Sequence, residues 1–209
     1  RFFSQLDYLV KKHQIKSILL TDELFSYNLE RVRAFCERIK QYDLSWAADF
    51  RVCDITPEMV EILKKGNCSC VLLGLESFDN RILKSMNKGI AAEQIAYGLS
   101  LLHEAGIAIN GNFIFGDVEE TVETATVTLN WWKEHQEYGI HLDFITPYPG
   151  TVLYEKAIQK KIIRDEVQYI KDGCPMVNLS KMSNLEVEWL VKEIASAQNV
   201  QETLDYYDV

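Results

Sequence analysis

Apolar residues along this chain follow two rhythms that take turns from one end to the other. Short, β-branched and aromatic runs bounded by charged or turn residues fall at Ser17–Thr21, Ser45–Asp49, Cys70–Leu75, Ile107–Phe115 and His141–Thr146, and each reads as a strand. Between them the apolar residues recur at helical spacing. No Gly/Ser-rich linker or low-complexity segment interrupts the alternation, and repeated strand–helix units predict a parallel sheet.

The helices carry their own punctuation. Thr56-Pro57-Glu58 supplies an N-cap, a first-turn proline and an early acid, while Lys64-Lys65-Gly66 supplies basic residues and a glycine stop. Gly106 closes the Ala91–Ala105 stretch, and Ser183-Asn184-Leu185-Glu186 has capping-box spacing ahead of a final helix. The segment Gln159–Ser180 carries no legible period. Because strand–helix–strand connections are right-handed, strands of this kind form either an open doubly wound sheet or an arc of a barrel. The glycine-rich phosphate fingerprint is missing after the first strand, where Thr21-Asp22-Glu23-Leu24-Phe25 stands, so the barrel arc is expected.

Composition narrows the function classes. With 209 residues, 47% of them hydrophobic, the chain can bury a full core, and its formal charge of -9 argues against a broad nucleic-acid surface. No apolar run approaches the roughly 20 residues needed to span a bilayer, and no signal peptide is visible, so a cytoplasmic setting and no membrane partner are expected. Cys36, Cys53, Cys68, Cys70 and Cys174 are an odd set suited to a reducing compartment. Cys68 and Cys70, two apart in a strand, are expected on one face as structural residues. His13, His103, His135 and His141 are scattered, and no metal site is expected from them. Trp131, Trp132 and Phe113 read as packing groups.

In parallel βα architectures, working residues sit at the C-terminal ends of strands, where the loops open. Polar residues recur there: Asp22 and Glu23, Asp49 and Arg51, Glu76 and Ser77, Gly116, Asp117 and Glu119, and Thr146 through Thr151. Any one of them could merely cap the following helix. Glu76, at the mouth of the apolar run Val71–Leu75, needs a partner or a hydroxyl to bind.

Taken in order, Thr21-Asp22-Glu23-Leu24-Phe25, Phe50–Ile55, Gly74-Leu75-Glu76-Ser77, Met86-Asn87-Lys88-Gly89, Phe113–Asp117 with Glu119-Glu120-Thr121, and Pro147–Thr151 resemble the core of radical S-adenosylmethionine (SAM) enzymes. The likeness runs from about Lys16 to Leu153 and is strongest to the branch often fused to a cobalamin-binding domain, which includes the anaerobic magnesium-protoporphyrin monomethyl ester cyclases. It implies an α/β fold: a partial TIM-like (βα) barrel of parallel strands lacking its first strand, at residues 1–153, followed by a C-terminal helical extension at 154–209. It also implies SAM as cofactor, a 4Fe-4S cluster and cobalamin in the whole protein, a small-molecule substrate, and an electron donor such as flavodoxin or ferredoxin.

By the same resemblance, Asp22 and Glu23 approach the methionine moiety of SAM, and Glu76 and Ser77 take the ribose hydroxyls. Phe113, Gly116 and Glu119 lie near the adenine, Pro147 and Tyr148 form the last strand's turn, and Arg51 meets the SAM carboxylate or a substrate acid. Two departures stand out: Asn112 replaces the glycine that usually opens the fifth-strand motif, and the CxxxCxxC cluster loop is absent from this chain. Arg1-Phe2-Phe3-Ser4 is similar to the stretch after such a loop, so a fragment of a larger enzyme, inactive alone, is expected. The alternatives are a non-catalytic binding or assembly domain of the same fold, and an unrelated barrel enzyme using carboxylates at strand ends.

Overall fold

A computed structural model describes residues 1–23 and 25–207, with side chains through residue 197. The elements run α1 (Phe2–His13), β1 (Ser17–Leu20), α2 (Leu29–Ile39), β2 (Ser45–Phe50), α3 (Pro57–Lys65), β3 (Cys68–Glu76), α4 (Asn80–Ser85), α5 (Ala92–Glu104), β4 (Ala108–Phe115), α6 (Val122–Glu134), β5 (Ile140–Phe144), α7 (Val152–Gln159), α8 (Glu166–Lys171) and α9 (Asn184–Tyr207). All five expected strands are present, in a single sheet with the order β1-β2-β3-β4-β5. A doubly wound sheet reverses its order at a switch point, whereas this one never does, which is the winding of a barrel arc.

The chain divides into two compact units, the first made of Arg1–Leu75, Glu93–Gly111 and Glu137–Ile140, the second of Glu76–Ala92, Asn112–Gln136 and His141–Val209. In the first unit β1, β2 and β3 run parallel, with Ile18 opposite Trp46 and Ala48 opposite Val71. Trp46, Ala48, Val71 and Leu73 are buried on one face, and α2 brings the Phe35 ring to 4.9 Å from that of Trp46. Leu19, Ala47, Asp49, Cys70 and Leu72 alternate with them on the other face and stay at least partly open to solvent.

The register corrects one expectation. Trp46 pairs with Cys68 and Ala47 with Cys70, so Ser69 is an extra residue in β3, and its hydroxyl donates to the Trp46 carbonyl at 3.2 Å. Such a bulge shifts the pleat by one. Cys68 therefore shares the closed face with Trp46, while Cys70 shares the open face with Ala47.

The punctuation of α3 is as the sequence predicts: the Met59 amide donates to the Thr56 hydroxyl at 3.1 Å, with Pro57 in the first turn. Gly66 ends the helix against α2, where a Cβ would stand 2.5 Å from Cys36 Sγ. Burial pushes the Cys36 and Cys68 thiols up to about 12, so both are packing groups.

The second unit centres on Ile82, Leu83, Phe113, Phe115 and Leu129. A smaller cluster of Tyr154, Ala157, Ile163, Tyr169 and Leu179 joins α7 and α8. Ser183 and Glu186 form the expected reciprocal cap of α9, at 2.6 and 3.3 Å. Leu190 and Ile194 are buried on that helix, and Glu193 pairs with Lys133 of α6 at 3.2 Å. Among the described residues no helix is long and apolar enough to cross a membrane.

The Trp46 indole N–H donates to the Gly66 carbonyl at 2.7 Å in the core of the first unit, tying β2 to the end of α3. Trp46→Phe leaves that carbonyl unpaired and opens a small void, and it is expected to lower stability by about 2–3 kcal/mol, read as a shift in the urea unfolding midpoint.

Candidate functional site

In the second unit the strand ends carry an unusual density of buried carboxyl groups. Glu76 closes β3 with φ of 68°, a left-handed conformation that residues other than glycine rarely adopt. Its side chain is 19% exposed, and Lys88, in the loop after α4, donates to its carboxylate at 2.8 Å. The left-handed turn separates Glu76 from its neighbour. Ser77 is buried, 3.0 Å from the hydroxyl of Thr128 on α6, and accepts the Asp79 amide at 3.1 Å.

Asp79 caps α4 by accepting the Arg81 and Ile82 amides, and its carboxylate meets the Arg81 guanidinium at 2.9 Å. Burial works to raise its pKa, but the hydrogen bonds and charge of Arg81 prevail and hold it below the usual carboxylate range. Arg81 also reaches Glu123 of α6 at 3.2 Å.

At the end of β4, Phe113 and Phe115 are buried, and the chain then turns through Gly116 at φ of 103°. That conformation suits glycine alone. The Gly116 amide donates to the carboxylate of Glu120, a residue only 1% exposed. Asp117 is buried as well and accepts the Glu119 amide at 2.9 Å. Glu119 points outward to an ion pair with Lys181. Burial, and after it the nearby carboxylates of Asp117 and Asp79, push Glu120 up to about 7 against the pull of the Gly116 amide.

Beyond β5, Pro147 is buried and its carbonyl accepts the Tyr169 hydroxyl at 3.1 Å. Tyr148 is exposed, and its carbonyl accepts the hydroxyl of Thr151, the cap of α7, at 2.8 Å.

The remaining expected site residues belong to the first unit. Asp22 forms a half-exposed ion pair with Arg31 of α2 at the rim of a cavity of about 740 Å³ whose walls include Phe2, Leu20 and Phe35. Glu23 is exposed in the turn after β1. Arg51 is exposed, while its backbone amide donates to the buried Ser26 hydroxyl at 3.1 Å, and Ser26 donates to Asp54 at 2.7 Å. Ser26 thus binds the turn after β1 to the turn after β2.

Sequence reasoning missed Lys88, Ser26, Thr128 and Glu120. For Lys88 the signal was present, a cation twelve residues after a carboxylate in a motif already singled out. For Glu120, two adjacent acids before a threonine cap do not reveal which one turns inward. Among the described residues no group of three or more His, Cys, Asp or Glu could hold a metal ion.

Glu120 also sets a pH dependence. Its folded value of about 7 stands above the ordinary 4.5, so its contribution to stability is fully present below about 4.5 and is lost as the pH rises through about 7. Glu120→Gln removes this titration. Between about pH 5 and pH 8 the variant is expected to gain on the order of 2–3 kcal/mol relative to the wild type, measured as the difference in urea midpoints at the two pH values.

Comparison with known proteins gives a consistent pattern. The sequence model of the radical SAM superfamily matches residues 3–131. An uncharacterized methyltransferase of Pyrococcus horikoshii is 33% identical over 165 residues, covering 78% of this chain and 36% of that protein. The anaerobic magnesium-protoporphyrin IX monomethyl ester cyclase of Rubrivivax gelatinosus is 27% identical, over 79% of this chain and 30% of its own length. The radical S-adenosylmethionine methyltransferase TsrM from Kitasatospora setae, solved with cobalamin and a [4Fe-4S] cluster bound, superposes with a TM-score of 0.64 at 18% identity, covering 77% of this chain and 34% of that one. This chain spans about a third of the length of these curated relatives.

Proposed function

Because the chain belongs to the radical SAM superfamily, we propose that it supplies most of the SAM pocket of an enzyme that cleaves SAM reductively and uses the resulting 5′-deoxyadenosyl radical on a small molecule. The observation that carries this reading is Glu76, a largely buried carboxylate held in left-handed backbone at a strand mouth with a lysine beside it. Strain of that kind is kept where the side chain has a task, and a carboxylate so placed is a strong acceptor for a pair of vicinal hydroxyls.

Within this reading residues 1–153 are the ligand-binding core and 154–209 the helical extension. Glu76 takes the ribose hydroxyls, and Ser77, whose hydroxyl is engaged with Thr128, braces the turn beneath it. Phe113, fully buried with its ring 5.8 Å from that of Trp131, backs the strand from behind, and the Gly116 turn shapes the floor for adenine, with Glu119 at the outer edge. Asp22 and Glu23 serve the methionine end, Arg51 the SAM carboxylate or a substrate acid, and Pro147 and Tyr148 the rim beyond β5. What these residues contribute is orientation and exclusion of water.

A 4Fe-4S cluster supplies the electron in this family's chemistry and needs three thiolates that leave one iron open. The cysteines of this chain do not fit it: Cys36 and Cys68 are buried with thiols raised to about 12, and no three lie at cluster spacing. The ligands are therefore assigned to another part of the whole protein, as are cobalamin, of the kind TsrM carries, and the surface that receives an electron donor such as flavodoxin or ferredoxin.

Glu76→Gly separates the carboxylate from the backbone, since glycine suits φ of 68°. In the complete protein this variant is expected to keep or raise the thermal midpoint while weakening SAM binding by about 1.5–3 kcal/mol, measured by equilibrium dialysis. Unchanged SAM affinity would remove Glu76 from the pocket.

A further inference from the structure

Glu120 is only 1% exposed, and all three of its polar anchors are in use. Its carboxylate accepts the Gly116 amide, its own amide donates to the Asp117 carbonyl at 2.9 Å, and its carbonyl accepts the Lys181 amide at 3.0 Å. The side chain thus reaches back across the turn it belongs to. Gly116, part-buried and at φ of 103°, has left the extended conformation of β4, and its amide needs an acceptor outside the strand ladder. Glu120 is that acceptor.

We propose that Glu120 is a positioning residue whose carboxyl group holds the Gly116 turn in the shape against which the adenosyl ligand rests. The ligand half of this inference depends on the role given to Gly116 under the proposed function; the link between Glu120 and Gly116 does not. Glu119, next in sequence, cannot substitute for it, because its carboxylate is committed to Lys181 on the outside.

The charge around Glu120 makes the hold adjustable. Asp117 faces it from the same turn, and Asp79 from the start of α4, where Arg81 offsets Asp79 and also engages Glu123 of α6. Burial together with these carboxylates brings Glu120 to about 7. An ionised carboxylate accepts the Gly116 amide more strongly than a protonated one, so the turn tightens as Glu120 loses its proton.

The test uses the chain labelled with ¹⁵N-glycine. The Gly116 amide resonance is expected to shift with pH around a midpoint of about 7, to stop titrating in Glu120→Gln, and to exchange with solvent about tenfold faster in Glu120→Met, which lacks the acceptor. Affinity for S-adenosylhomocysteine should fall in Glu120→Met and be retained in Glu120→Gln. A Gly116 resonance that does not move with pH in the wild type would overturn the proposal, as would unchanged exchange or unchanged S-adenosylhomocysteine affinity in Glu120→Met. If the wild-type chain binds no S-adenosylhomocysteine, the ligand reading fails, while the amide titration still decides the link between Glu120 and Gly116.

Discussion

A parallel sheet whose strands follow one another in sequence order sends every connection back along the same face. In such an arrangement that face collects helices and apolar core. In the first unit the division is plain along β2 and β3: Trp46, Ala48, Val71 and Leu73 are closed in, while Ala47, Asp49 and Leu72 stay half-open. The loops at C-terminal strand ends are where parallel βα folds carry polar groups, and the polar turns after the strands of this chain stand at such ends.

Three acids of the second unit, Asp79, Glu120 and the part-buried Glu76, show how separate environments hold a carboxyl group in separate ways. Asp79 is compensated by a guanidinium and stays ionised easily. Glu120 has only the backbone amides of Gly116 and Asp117 to offset burial, and two carboxylates nearby work against them, so its proton is held into the neutral range. Glu76 is the least enclosed and has the Lys88 ammonium at 2.8 Å, a partner that keeps the side chain from standing alone in an apolar setting. A turn that closes on Glu120 and a carboxylate that stands at Glu76 are different answers to one constraint, that a charge at a strand mouth needs a partner.

Local signals made most of the fold legible. Strand runs bounded by polar turns and the cap of α3 by Thr56, Pro57 and Gly66 depend on neighbours a few residues away, so the sequence displays them. The features that escaped depend on distant residues. The bulge at Ser69 is a matter of pairing with β2, and it turned Cys70 to the face opposite the one expected. Ser77 and Glu76 are adjacent in sequence, yet the left-handed backbone at Glu76 sends one hydroxyl into Thr128 and leaves the other side chain at the mouth. The stretch after Gln159 had no period because α8 is six residues long and is held by Tyr169 packing near Tyr154 of α7. The site motifs were legible as a series, whereas the orientation of each member was set by partners such as Thr128, Lys88 and Gly116.

The central claim is that these strand ends serve SAM cleavage. Its most direct measurement is to load the complete protein with iron and sulfide under anaerobic conditions, add SAM and a strong reductant, and quantify 5′-deoxyadenosine by chromatography. The account predicts that 5′-deoxyadenosine forms with the loaded protein and disappears when the cluster is stripped. A protein that carries its cluster and binds SAM, yet leaves the SAM intact under reduction, would contradict it.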